Sequence, residues 1–235
     1  MNFIKNIYNI IFIVLLILYI LLVVFAFNNL NKFISTATNP QNNVTIVLDA
    51  GHGGEDGGAV ANNIIEKDIN LSITKELAKI FKATGFNVVM TRNSDNMINT
   101  EGDSIASKKV SDMKNRLEIF NESDNNVVIS IHQNKFPQEQ YYGAQVFYSC
   151  NDESSSLLAE SIRDTICDFI QPENNRQCKE TTKDIYLLYN SKVPSVIVEC
   201  GFISNVNEAN LLKNKEYQRK IAYSIFIGYL NYMNK

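Results

Sequence analysis

The sequence predicts an α/β fold: a twisted mixed, mostly parallel sheet of about six strands with helices on both faces, preceded by one N-terminal transmembrane helix. Three observations predict it. Short runs such as TIVL at 45–48, VVISI at 127–131 and SVIV at 195–198 are apolar without alternation, as strands covered on both faces must be. Between such runs lie segments of ten or more residues whose apolar side chains recur at helical spacing. Ahead of them stands an uncharged stretch with no polar face, IIFIVLLILYILLVVFAF at 10–27.

That first stretch has 18 residues, and at about 1.5 Å per residue 18 to 21 residues span a hydrocarbon core of about 30 Å. The residues after it, Phe27, Asn28 and Asn29, fit a small-residue cleavage site badly, so an uncleaved anchor over 1–27 is expected. Lys5 and the amino terminus on one side, against Lys32 on the other, give an N-in, C-out orientation. Residues 28–43, rich in Asn, Ser and Thr, read as a polar linker to a single domain over 44–235.

Within that domain the 45–48 strand breaks into DAGHGGEDGGAV, too rich in glycine for regular structure. Residues 66–83 place Ile69, Ile73, Leu77 and Ile80 on one helical face, and Gly85 stands where a C-cap belongs. A strand over 87–90 follows, then polar irregular chain at 93–106 and a helix over 108–121. Strands are expected at 127–131, 144–148, 185–189 and 195–198, and helices over 154–170 and about 215–233.

Composition narrows the partners. Lys plus Arg number 22 against 25 Asp plus Glu, a net charge of −3 with the signs interspersed, which excludes a nucleic-acid surface. The four cysteines form no C-x-x-C pair, and a body this large does not depend on staples, so they read as free and mostly buried thiols.

The chain has two histidines, and each directly follows a buried strand: His52 after TIVLDAG and His132 after VVISI. In open α/β sheets ligands gather at the carboxyl ends of the strands. Glu199 lies at the same point of SVIVE, and Glu66 opens a helix whose first turn faces that rim. Two histidines and one carboxylate are a frequent catalytic zinc set, with a fourth position left for water. A further carboxylate would move the proton. The residues alone leave open which glutamate plays which part.

These residues carry a resemblance to the zinc-dependent N-acetylmuramoyl-L-alanine amidases, cell-wall enzymes often called type 3 amidases. The likeness runs from Thr45 to about Met233 and includes VLDAGHGGEDGGAV, Glu66, Thr91-Arg92, Arg116, SIHQN, Gly143-Ala144, Arg176, Lys179 and VPSVIVECGFISNVNEANLL. It implies one Zn²⁺ held by His52, Glu66 and His132, with Glu199 as the catalytic glutamate. It implies hydrolysis of the amide between the lactyl group of N-acetylmuramic acid and L-alanine, with Asn134 and Arg116 at the substrate. Asn205 and Glu208 read instead as loop-structuring residues, with Glu208 at a helix start.

An anchor joined to a catalytic domain is similar to the germination-specific amidases, which implies work on peptidoglycan outside the membrane, in the intermembrane space of a forming spore. With no inhibitory helix recognised, either expression timing or an activating protein partner is expected to restrain the enzyme. A zinc peptidase acting inside the stem peptide needs the same four residues, plus an arginine for a terminal carboxylate; Arg92, Arg116 and Arg176 are the candidates.

Overall fold

The computed structural model describes residues 12, 14–25 and 44–235. By their contacts the residues fall into two units, Met1–Asn42 and Asn43–Lys235. In the first, residues 14–25 are helical and their apolar side chains are exposed. No helix of the described residues is long and apolar enough to cross a membrane. The rest of the expected anchor, at 1–11, 13, 26 and 27, and the whole expected linker lie outside the described residues.

The second unit is the α/β body. Its elements are β1 (Thr45–Ala50), β2 (Val60–Ala61), β3 (Ile64–Ile65), α1 (Glu66–Ala83), β4 (Asn87–Met90), α2 (Ile105–Phe120) and β5 (Asn126–Asn134). They are followed by β6 (Gln145–Tyr148), α3 (Ser154–Phe169), β7 (Lys179–Glu180), α4 (Tyr186–Asn190), β8 (Ser195–Phe202), α5 (Val206–Lys213) and α6 (Lys215–Met233). Six strands form one sheet in the order β4-β1-β5-β8-β6-β7, and within it only the β6–β8 pairing is antiparallel. β2 and β3 form a separate hairpin.

The two faces of the sheet are covered unequally. Ile46, Leu48, Ile129, Ile131, Val146, Val196 and Val198 pack against α1, α3 and α6 in the main core. α1 inserts Ile73, Leu77 and Phe81, all fully buried, and truncating one of them to Ala would cost about 2–5 kcal/mol. On the opposite face Val47, Val128, Val193 and Phe120 form a small cluster under α2 and α4. The remainder of that face near the carboxyl ends of the strands is polar: Asp49 and Ser130 are both fully buried there.

Local chemistry sets the element ends. Ser104 and Ser107 form a reciprocal capping box, which starts α2 at Ile105, three residues ahead of the expected 108. Asn214 caps α6 by accepting from the Glu216 and Tyr217 amides. Gly85 has φ +89° just past the end of α1, with open space where a side chain would stand.

Residues 185–189, expected as a strand, are instead mostly the short helix α4. Its Leu188 is fully buried and Leu187 packs on the second face, so burial there overrides the strand-like composition. The place beside β6 belongs to β7, two exposed polar residues that no hydrophobic pattern announces. The helix start expected at Glu208 is the first turn of α5, which Asn205 caps by accepting from the Glu208 amide at 3.1 Å. β5 and β8 run longer than their apolar cores, so His132 and Glu199 lie within the strands and face each other across them.

Candidate metal centre

His52 follows the end of β1 in a left-handed turn, φ +62°, a conformation that L side chains resist. Two buried arginines hold it. Arg92 donates from Nε to the Ala50 carbonyl at 2.8 Å and from Nη2 to the Gly51 carbonyl at 3.1 Å. Arg116 donates from Nη1 to Ala50 and from Nη2 to His52, both at 2.8 Å. Three consecutive carbonyls are thereby turned toward guanidinium groups and the His52 ring is turned toward the site. The Arg116 charge is balanced by Asp49 and by Asp112, the latter 2.6 Å from its Nε.

Glu66 is the first residue of α1. The β2–β3 hairpin turns on Asn62 and Asn63, both with positive φ, and delivers the chain back beside residues 57–59. There Oε2 of Glu66 accepts from the Ala59 amide at 2.8 Å, and Oε1 accepts from the Gln133 amide at 3.1 Å and from Asn70 at 3.2 Å. The carboxylate is 4 % exposed and fixed from three sides.

His132 Nδ1 lies 3.0 Å from Glu66 Oε1, and His52 Nε2 lies 3.3 Å from the same oxygen. Ligand-capable atoms of His52, Glu66 and His132 all lie within 4.8 Å of one another. His52 presents Nε2 to this point because its Nδ1 is 2.8 Å from Asp56 Oδ2, a carboxylate–imidazole contact of the kind that orients metal-bound histidines. Asp56 in turn is 2.6 Å from Lys109 on α2.

Two glycines make room. A Cβ on Gly51 would overlap the His132 ring, and one on Gly58, at φ +68°, would stand 2.6 Å from both Glu66 Oε2 and His52 Cδ2. The glycine density of DAGHGGEDGG thus has a steric cause: side chains are excluded where imidazole and carboxylate converge.

Glu199 pairs with His132 across β5 and β8, which puts the two side chains on one face of the sheet. Its Oε2 is buried and has no hydrogen-bond partner among the described residues. Burial, reinforced by the Glu66 charge and opposed by the histidines, pushes its carboxyl up to about 7. Burial also acts on Glu66, but the two histidines outweigh it and hold this carboxyl well below the usual range. His52, despite burial, is raised to about 9 by Asp56 and Glu66. The field of the site is that of clustered carboxylates, and it favours a cation.

Not every expected site residue joins this group. Arg116, expected at the substrate, is 2 % exposed with its donors committed to Asp49, Asp112, Ala50 and His52, and it positions the His52 turn. Arg92 is committed in the same way. Asn134, at the end of β5, lines a groove of about 300 Å³ together with Phe136, Tyr141, Gln145, Arg176 and Phe202. Glu208 accepts from the Gly143 amide at 3.0 Å and the Phe202 amide at 2.8 Å, joining the loop before β6 to the end of β8. Of the four free cysteines only Cys200 is buried; Cys167 and Cys178 are half-buried and Cys150 is exposed. The roles of Asp56 and Asp49 were not foreseen, although both stand in the motif around His52.

An α/β body with a three-residue metal-competent group at its strand ends, and a buried carboxyl beside it, has the parts of a metal-assisted hydrolase. The chain belongs to the N-acetylmuramoyl-L-alanine amidase family, which it matches over residues 46–230. It is 36 % identical over 203 residues to the germination-specific N-acetylmuramoyl-L-alanine amidase of Bacillus subtilis, covering 83 % of this chain and 82 % of that one. Among solved structures it is similar to the CwlD amidase of Clostridioides difficile, described in complex with the GerS lipoprotein, with TM-score 0.78 and 42 % identity. That match covers 82 % of this chain and 99 % of the other. The amidase AmiC2 of Nostoc punctiforme matches with TM-score 0.70 and 29 % identity, over 82 % of this chain and 98 % of that one.

Proposed function

We propose that this protein hydrolyses the amide between the lactyl group of N-acetylmuramic acid and the L-alanine of the stem peptide, with one Zn²⁺ held by His52, Glu66 and His132. The observation that carries the reading is the meeting of two imidazoles and the Glu66 carboxylate within 4.8 Å, beside a buried carboxyl with an unpartnered oxygen. The donor set fits zinc: two neutral imidazole nitrogens and one carboxylate oxygen leave a fourth position for water or substrate. When bound, zinc polarises the scissile carbonyl and makes water a better nucleophile near neutral pH.

The remaining chemistry belongs to the chain. Glu199 takes a proton from the attacking water and delivers it to the nitrogen of L-alanine, so that the amide C–N bond breaks and a neutral amine leaves. Its carboxyl, pushed to about 7, is suited to both halves of that transfer near neutral pH. Asp56 holds the Nδ1 proton of His52, so Nε2 is the nitrogen that would give up its proton and hold the metal. Asn134, beside His132 on the rim, contacts the substrate next to the scissile bond.

The reading places this work outside the cell membrane. The apolar residues 10–27 anchor the chain as a single N-in, C-out pass, and 28–43 link the anchor to the catalytic domain over 44–235. The likeness to a germination-specific amidase supports a role in spore cortex, in the intermembrane space of the forming spore. An activating protein partner is part of the proposal, supported by the CwlD complex with a lipoprotein. Mass spectrometry of muropeptides after digestion tests it. Peptide-free glycan and stem peptides beginning in L-alanine are the expected products, whereas fragments cut within the stem peptide would establish a peptidase instead.

A further inference from the structure

A row of residues on the Glu199 side of the sheet leads away from the candidate metal centre. Across the sheet Gln145 pairs with Glu199 and Glu199 with His132, and one step along the strands Lys179 pairs with Phe147 and Phe147 with Ile197. Paired residues share a face, so Lys179, Phe147, Gln145, Glu199 and His132 all stand on the same one. Strands about 4.8 Å apart, with paired rows about 7 Å apart, put Lys179 about 12 Å from Glu199. Between them lies the groove lined by Asn134, Tyr141, Gln145, Phe147, Arg176 and Phe202.

Arg176 stacks over the Phe202 ring at 4.6 Å and donates from Nε to the Tyr142 carbonyl at 2.7 Å, which fixes the plane of the guanidinium. Among the described residues neither Arg176 nor Lys179 has a carboxylate within ion-pair distance. Glu208, whose carboxyl feels the Arg176 charge, has both oxygens occupied by the Gly143 and Phe202 amides. A held guanidinium with free N–H groups, beside an ammonium, is built to receive a carboxylate.

We infer that this groove binds the stem peptide, with Arg176 and Lys179 receiving the carboxylates that follow L-alanine. The inference rests on the amidase reading for its substrate. Three extended residues reach about 10 Å, which carries a peptide from the scissile bond beside Glu199 to the two cations. The aromatic walls at Tyr141 and Phe202 suit sugar rings as well, but neutral sugars leave both cations unanswered; the charge selects the acidic peptide.

The test is calorimetric titration of the full chain with the tripeptide L-alanyl-γ-D-glutamyl-diaminopimelate and with the same tripeptide amidated at its free carboxyls. The wild type should bind the acid form about tenfold or more tightly than the amide, the scale of a charge-assisted pair. Arg176→Gln and Lys179→Gln should each erase most of that preference, and Arg176→Lys should restore part of it; Lys179 is exposed, so its variant folds normally. Equal affinity of the wild type for acid and amide would overturn the inference. So would an intact preference in both glutamine variants, or displacement of the tripeptide by peptide-free glycan. Muropeptide digestion by the same wild-type sample keeps the two ideas apart. Release of peptides beginning in L-alanine without a carboxylate preference removes the groove assignment alone, whereas a preference together with cuts inside the stem peptide removes the amidase reading and leaves an acidic-peptide site.

Discussion

Asp56 Oδ2 lies 2.8 Å from His52 Nδ1, and Asp56 Oδ1 lies 2.6 Å from Lys109 Nζ. A cation on α2, a carboxylate in the glycine-rich loop and an imidazole of the candidate metal group thus form one line. Removing such an outer carboxylate typically costs about 10- to 100-fold in metal affinity. Asp56→Asn should therefore weaken zinc binding by about that factor, measured by competition with a chelating dye, while leaving the circular dichroism spectrum unchanged. Unaltered zinc affinity would show that His52 is oriented by its backbone turn alone.

Gly51 gives a test of a different kind, because its backbone tolerates alanine but its surroundings do not. The added methyl overlaps the His132 ring. Gly51→Ala should displace that imidazole, leave the main core untouched and lower zinc affinity by about tenfold or more, the effect expected when one of three ligands is misplaced. A zinc titration of the folded variant with wild-type affinity would contradict the close packing described here.

Asp49 ties the polar face of the sheet to acid stability. It is fully buried; burial alone would raise its carboxyl, but Arg116, Ser130 and Thr91 bring it down to about 2 from the ordinary 3.8. The native pKa lies below the unfolded one, so this group stabilises the fold above about pH 4, and the contribution is lost as pH falls toward 2. Its size is about 2 kcal/mol. Asp49→Asn should be less stable at neutral pH by about 3–5 kcal/mol, because Arg116 loses a buried partner. Its stability should also fall less steeply between pH 4 and 2, as urea unfolding at a series of pH values will show.

The sequence disclosed the parts of the fold that obey periodicity. α1 and α6 begin and end where apolar spacing puts them, and the strand cores of β1, β5 and β8 stand out as unbroken apolar runs. Elements defined by something other than a pattern escaped. β7 is two exposed residues that exist only because β6 offers an edge. α4 is a strand by composition and a helix by burial of Leu188.

The site shows the same division. His52, Glu66, His132 and Glu199 stand out in the sequence because they border apolar runs or open a helix, where little else demands a histidine or an acid; the structure brings them together, with His132 and Glu199 inside β5 and β8 rather than past their ends. Arg116 looks like a substrate contact because a free charge and a buried one read alike along a chain; only the fold shows that Asp49, Asp112 and the His52 carbonyl have claimed it.

The division of labour between the two glutamates is the central claim, and one paired measurement addresses it: zinc content per chain in Glu66→Gln and Glu199→Gln. Glu66 has one oxygen within 3.3 Å of nitrogens of both histidines, whereas Glu199 holds a buried, unpartnered oxygen one strand away. Glu199→Gln should keep about one zinc per chain, as three intact ligands suffice, while kcat on muropeptides falls by about 10² or more. Glu66→Gln should lose zinc, because a neutral amide is the poorer ligand. A Glu199→Gln protein without zinc beside a Glu66→Gln protein that retains it would contradict the account and reverse the two roles.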